Sequence, residues 1–231
     1  MKPSRFIPLD GLDLSFDPSP PPAASPGVLA RWATMRSANP RLHNGPILAC
    51  SVGPDGAIIA RRDTYQRLAV QAEDRTLVEP PVMQLSVTGV LVAPGAAGVA
   101  GAPAILFGKR SPQTRIYQSM WELAPSGGLD PADDGAAPGM ADVLAQLERE
   151  AEEELGFLPE PLTSRVLGLV IDPVAMSTDV VIRQELAHRP VCREAGWEYT
   201  ETRWVQISDI KSFITNNSVI PPTLAILQTM R

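Results

Sequence analysis

The stretch that most constrains this chain is Arg149-Glu150-Ala151-Glu152-Glu153-Glu154-Leu155-Gly156-Phe157. It closes an alanine-rich run that reads as a helix from about Met140. At about 100° per residue, Glu153 falls near −60° and Glu154 near +40° from Glu150, so three carboxylates share one face. Leu144, Leu147, Ala151 and Leu155 form an adjoining apolar stripe, while Glu148 and Glu152 point away from the three. Like charges at these spacings repel by a few tenths of a kcal/mol per pair. A helix that gathers three of them beside its buried face calls for a counter-charge. Hard divalent cations such as Mg²⁺ accept carboxylate oxygens. Gly156 suits the left-handed position that ends a helix.

Around this helix the chain divides in three. Residues 1–27, with Asp17-Pro18-Ser19-Pro20-Pro21-Pro22, read as an extended or disordered arm. Residues 28–80 read as a small N-terminal α/β subdomain. It has a helix from Pro26 to Met35 and a turn-rich connector from Asn39 to Pro46. A hairpin follows around Pro54-Asp55-Gly56, then a helix from Asp63 to Asp74 with Asp63 as its cap. Residues 81–231 carry strands at Val82–Ala93, Ala104–Arg110 and Ser119–Pro125, the acidic helix, and strands near 165–171, 180–187 and 202–207. A short helix capped by Ser208 and a last helix at Thr223–Met230, after the breaker Pro221-Pro222, complete it. A Gly/Ala loop, Pro94 to Pro103, separates the first two strands. The order β-β-β-α-β-β-β-α fits an α+β fold with helices packed on a sheet.

Composition removes several functions. The net charge of −6, with no basic cluster, argues against a nucleic-acid backbone binder. The two cysteines, Cys50 and Cys192, form neither metal-ligand spacing nor a disulfide framework, which fits a reducing, cytoplasmic setting. His43 and His188 are too few and too far apart for zinc or triad chemistry. No apolar run is long enough to span a bilayer, and Met1 to Phe16 lacks the features of a signal peptide. The expected partner is a small anionic molecule, with no nucleic acid and no membrane.

Arg149 through Phe157 resembles the second half of the Nudix box, the signature of the Nudix hydrolase superfamily: Arg-Glu, an apolar residue, any residue, Glu-Glu, any residue, Gly, an apolar residue. Every specified position matches. The resemblance implies the Nudix fold, a mixed sheet between helices. It implies hydrolysis of a nucleoside diphosphate linked to another group. It assigns Glu150, Glu153 and Glu154 as ligands of Mg²⁺, with Mn²⁺ as a substitute, and Glu153 also a catalytic part. Arg149 is expected to pair with Glu153 or orient Glu150. Gly127-Gly128 is expected to bring backbone close to metal or phosphate. Gly128 lies 21 positions before Arg149, seven more than in the pattern, and Ala141 stands where the pattern has a glutamate. Asp134 and Asp142 are the candidate replacements; the competing reading is a solvated acidic loop with Asp142 at a helix start. Glu198, in an acidic loop before the last strand, is the first candidate for general base, and Glu201 the second.

The layout outside the box is similar to the UDP-glucose pyrophosphatase type of Nudix protein. It implies cleavage of a UDP-sugar to UMP and a sugar 1-phosphate. Asn39 and Asn44 then become candidate substrate contacts, against a competing reading in which the turn bonds its own backbone. A rival comes from Ile105 to Ser111 with Arg115 beyond, which resembles the motif before the box in coenzyme A pyrophosphatases. In either case Arg110 and Arg115 are candidate phosphate contacts. An ADP-ribose pyrophosphatase and a non-hydrolytic nucleotide-binding module complete the alternatives.

Overall fold

A computed structural model describes residues 3–95, 102–132, 135–193 and 196–230. In chain order the elements are β1 (Arg5–Pro8), β2 (Leu14–Asp17), α1 (Pro26–Ala38), β3 (Pro46–Val52), β4 (Ile58–Thr64), α2 (Tyr65–Glu73), β5 (Gln84–Ala93), β6 (Ala104–Arg110), β7 (Trp121–Leu123), β8 (Ser126–Gly128), α3 (Met140–Leu155), β9 (Pro161–Asp172), β10 (Ser177–Leu186), β11 (Tyr199–Gln206), α4 (Ile210–Asn216) and α5 (Pro221–Thr229).

One strand joins the rest. Along one edge β5 runs parallel to β10, from Gln84 opposite Ser177 to Val92 opposite Glu185. Its other edge is shared by three partners. Gln84 faces Ala49 of β3, Ser86 to Thr88 face β8, and Val92 and Ala93 face β6. Beyond β10 lie β9 and then β1, beyond β3 lie β4 and β2, and β6 carries β7 and β11.

Strand side chains alternate between faces, and the alternation in β5 separates two cores. Leu85 and Val87 pack with Val143 and Leu147 of α3, and Leu91 with Ala151 and Leu155 of the same helix. Val90 and Val92 point the other way, into a cluster with Phe213 of α4 and Ile226 and Leu227 of α5. Phe213 there stacks at centroid distances of 4.8 Å from Phe107 and 5.2 Å from Trp121. This is the expected α+β arrangement, a mixed sheet between helices. Val28, Trp32, Ile47, Leu68 and Val70 form a third cluster under α1 and α2, which also takes in Val82 and Met176.

Several local expectations change. The proline-rich first 27 residues contribute β1, which pairs antiparallel with β9, and β2, which runs parallel to β4. Both strands are four residues long, too short for periodicity to declare, and both are fixed by partners distant in sequence. Asp63 does not cap α2. It lies in β4, 1% exposed, 3.0 Å from Arg67 and also paired with Arg61, so a buried ion cluster claims its carboxylate. Pro221 and Pro222 open α5, where the first turn needs no N–H partner from them. Ser208 falls in a 3-10 turn, and α4 begins at Ile210. Residues 96–101 of the Gly/Ala loop lie outside the described residues.

Candidate active site

Helix α3 ends as the sequence requires, with Gly156 at φ 71° and its N–H donating to the Glu152 carbonyl at 3.1 Å. At its other end Asp142 Oδ2 accepts from the Gly139 N–H at 2.7 Å. That commits Asp142 to the helix start, and Asp134 lies outside the described residues. Val143, Leu147, Ala151 and Leu155 are fully buried, which fixes the rotation of the helix and places its carboxylate face along β8.

The three glutamates meet different surroundings. Glu154 is 7% exposed, and Oε2 accepts from the Ser126 N–H at 3.1 Å. Its carboxyl is held well above the usual range, first by burial, then by the nearby charges of Glu150, Glu198 and Glu122 and by a hydrogen bond with Glu198. Glu150 is pushed up to about 7, again by burial first, with Glu153 and Glu198 adding to the effect and the Gln146 hydrogen bond opposing it. Glu153 is exposed. A Cβ on Gly127 would lie 1.8 Å from Glu150 Oε1, so only glycine lets the β8 backbone approach that carboxylate.

Arg149 reaches neither Glu153 nor Glu150. Its guanidinium donates to Asp130 at 3.1 Å and to Gln146 Oε1, while Gln146 Nε2 donates to Glu150 Oε1 at 2.6 Å. The arginine therefore orients Glu150 through Gln146, with the pair to Asp130 tethering the loop after β8. Glu198 sits where β11 begins, its carbonyl accepting from the Ser111 N–H at 2.6 Å. Glu201 is an exposed partner of Arg203, away from the cluster.

A cavity of about 260 Å³ opens beside β8, on the sheet face opposite α3's apolar contacts. Gly127, Gly128, Arg110, Arg115 and Glu198 line it; Asn39 and Asn44 do not. Asn39 Oδ1 accepts from the Arg41 N–H in its own turn, and Asn44 Oδ1 from the Gln66 N–H in the first turn of α2, so both are committed to backbone. Arg110 Nη1 bonds Glu122 Oε1 at 2.6 Å, which neutralises it in the wall. Arg115 stands exposed at the rim.

Two features escaped the sequence reading. Glu122 is 4% exposed, bonded by Arg110 and by Tyr199 Oη at 3.0 Å, and burial raises its carboxyl above the usual range. Its signal was a lone acid inside the apolar triplet Trp121-Glu122-Leu123. The second is a polar floor: Gln84, Ser86 and Thr88 of β5 and Ser177 of β10 line the cavity together, beside Asp179, an acid that the sequence already sets at the opening of a strand. The signal lay in β5, whose alternate residues run Gln84, Ser86, Thr88 and then Val90, Val92, polar before apolar on one face.

Among the described residues no three acidic, histidine or cysteine side chains are gathered tightly enough to hold an ion as they stand. The donor set nevertheless suits a hard divalent cation. All its ligands are carboxylate oxygens, they lie one turn apart on one face, and their mutual repulsion is visible in Glu150 and Glu154. Cβ atoms three and four apart on a helix are roughly 5–6 Å from each other, a spacing that lets glutamate side chains converge on one ion.

No protein-family model and no curated protein matches the sequence. Solved structures do. A NUDIX hydrolase from Alicyclobacillus acidocaldarius is 18% identical at a TM-score of 0.51, over 63% of this chain and 90% of that one. DR0079 from Deinococcus radiodurans is 14% identical at 0.49, over 81% and 100%. The NUDIX domain of Shewanella oneidensis NrtR, complexed with ADP ribose, is 17% identical at 0.46, over 70% and 96%. Of these three the first alone exceeds 0.5, and at its identity it speaks for the fold and not the activity. The chain has the Nudix fold.

Proposed function

We propose that this protein is a Mg²⁺-dependent hydrolase of the pyrophosphate bond in a nucleoside diphosphate linked to another group, with a UDP-sugar as substrate. The observation that carries the reading is the carboxylate face of α3, pressed against Gly127 beside a polar cavity. Glu150, Glu153 and Glu154 would hold the metal, and Mn²⁺ would substitute. A bound divalent ion supplies neutralisation of charge developing on phosphate oxygens. Glu198, which raises the carboxyl of Glu154 and lines the cavity, would take a proton from the attacking water. Arg149 holds Glu150 through Gln146. Arg115 at the rim offers a cation to a phosphate, whereas Arg110 is already paired with Glu122. Residues 81–231 are proposed as the catalytic domain, 28–80 as its subdomain and 1–27 as an arm that joins the sheet.

The test is a panel of UDP-glucose, UDP-galactose, ADP-ribose and coenzyme A with Mg²⁺, after chelation and after readdition, with products identified by mass. The expected result is UMP and sugar 1-phosphate, lost on chelation and restored by Mg²⁺, with kcat/KM highest for a UDP-sugar. Coenzyme A in the lead would replace the substrate. Cleavage of none would make the protein a binding module.

A further inference from the structure

The polar floor faces a space too small for a whole nucleotide-sugar. At about 260 Å³ the cavity falls below the roughly 300–1,000 Å³ of pockets that enclose a drug-sized ligand. One ring enters, and the rest of the ligand lies along the open side. The floor has an unusual form. Polar side chains repeat both along and across two adjacent strands: Gln84, Ser86 and Thr88 on β5, Ser177 and Asp179 on β10. In the parallel register Ser177 faces Gln84 and Asp179 faces Ser86. Strands are about 4.8 Å apart, and same-face residues about 6.8 Å apart along a strand. A nucleobase presents its polar groups along the edge of one plane and is held largely by stacking on its faces. Tyr117 is the aromatic residue among the lining side chains, and its hydroxyl is spent on Asp172 at 2.9 Å. A sugar presents hydroxyls around its whole rim, each both donor and acceptor, and so matches a two-dimensional array.

Asp179 is the sharpest member of that array. Its Oδ2 accepts from the Thr88 hydroxyl at 2.8 Å and the Ser177 hydroxyl also stabilises the carboxylate, while Oδ1 is buried without a hydrogen bond of good geometry. An enclosed carboxylate oxygen without a donor is costly. Asp179 is among the residues lining the cavity, where a ligand hydroxyl can supply a donor to this carboxylate. The strand register also links the floor to β8. Asp179, Ser86 and Gly128 are side by side on β10, β5 and β8, two strand spacings or roughly 10 Å across. Gly127, next along β8, abuts Glu150.

We infer that this floor is the subsite for a sugar carried on the distal phosphate of the substrate, and that Asp179 is its specificity-determining acceptor, taking a hydrogen bond from a ring hydroxyl. The inference rests on the pyrophosphatase reading for the chemistry, though not for the binding. It admits hexoses and pentoses and disfavours a distal group without hydroxyls.

The experiment compares wild type with Asp179→Asn and Ser86→Ala. Asparagine keeps the shape, removes a buried charge and still accepts from Thr88; Ser86→Ala takes one hydroxyl from the floor. The substrates are UDP-glucose and UDP methylated on its distal phosphate, which keeps nucleotide and pyrophosphate and lacks the sugar. The expected result is a strong wild-type preference for UDP-glucose that shrinks about 10-fold or more in Asp179→Asn and less in Ser86→Ala, as loss of a charge-assisted hydrogen bond predicts. Cleavage of the methyl ester is the baseline against which that preference is read in each variant. An unchanged preference in both variants overturns the subsite. Calorimetric binding of glucose 1-phosphate to the metal-free protein separates the two ideas. If no substrate is cleaved but glucose 1-phosphate binds to wild type and is lost in Asp179→Asn, the subsite stands and the pyrophosphatase reading falls. If wild type cleaves UDP-glucose and the variants weaken UMP instead of glucose 1-phosphate, the floor holds the base and the inference is wrong. Failure of wild type to bind glucose 1-phosphate also overturns it.

Discussion

Glu154 is a carboxylate whose surroundings oppose its charge, with burial first and three neighbouring acids after it. Its raised folded-state pKa means that the ionised form costs stability once pH exceeds the ordinary carboxylate range. Glu154→Gln should therefore raise the melting temperature in metal-free buffer at pH 8 while cutting Mg²⁺-dependent turnover. Glu153→Gln should cut turnover with little effect on melting, since Glu153 is exposed. For each the expected loss is at least about 100-fold, because even partners of ligands commonly cost 10–100-fold. Near-normal rates in both variants at saturating Mg²⁺ would remove the ligand assignment. Asp179 supplies a separate pH test. Burial lifts its carboxyl to about 6 from 3.8. The folded state then holds more protons than the unfolded one between those values, so this residue's contribution to stability falls as pH rises through that window and stays flat above it. Two pKa units correspond to roughly 2–3 kcal/mol. Asp179→Asn should lack that slope and melt several degrees higher than wild type at pH 8. Parallel curves of melting temperature against pH would disprove the assignment.

At the scale of elements, β8 and α3 form one device. The close approach of Gly127 to Glu150 is a steric requirement and not a matter of backbone angle. Gly127→Ala should displace Glu150 and lower kcat about 10-fold or more, with a melting temperature close to wild type, since the strain is relieved by one side chain. A variant with full kcat would show that Glu150's position is irrelevant to turnover. The relay from Arg149 through Gln146 predicts that Gln146→Leu weakens activation by Mg²⁺ by about 10-fold, the effect of losing a partner behind a ligand. A Mg²⁺ titration reads it, and an unshifted midpoint would count against the relay.

For the whole molecule, the sheet runs unbroken across the proposed boundary at residue 80. Leu48, Cys50, Ile58 and Ala60 of the N-terminal part share a core cluster with Leu85, Val87 and Leu147. Removing residues 1–80 strips that cluster, and β1 with it from the edge of β9. The boundary is thus proposed as one of function and not of folding. A fragment covering 81–231 should be insoluble or lack a cooperative melt. A soluble fragment that melts like the full chain would refute this.

Local interactions made part of this molecule readable. The helix of the box, its apolar stripe, its glycine stop and the sharing of one face by three glutamates all follow from 3.6 residues per turn, which acts within a dozen positions. Strand β6 was likewise legible end to end, because its pattern is local. What pairs with what was not. The strands β1 and β2 and the juxtaposition of Asp179 with Ser86 depend on partners dozens of residues away. Backbone hydrogen bonds between strands carry no sequence label, and register is set by the packing of whole faces. Asn39 bonds its own turn, a reading the local sequence already offered, whereas the Gln66 N–H that claims Asn44 lies 22 residues on. The sequence by itself determined a helix that gathers three carboxylates on one face. The tertiary structure alone decided which carboxylates are buried, which arginine is already paired, and what polar surface faces the space beside them, since burial and distance exist only once the sheet has closed.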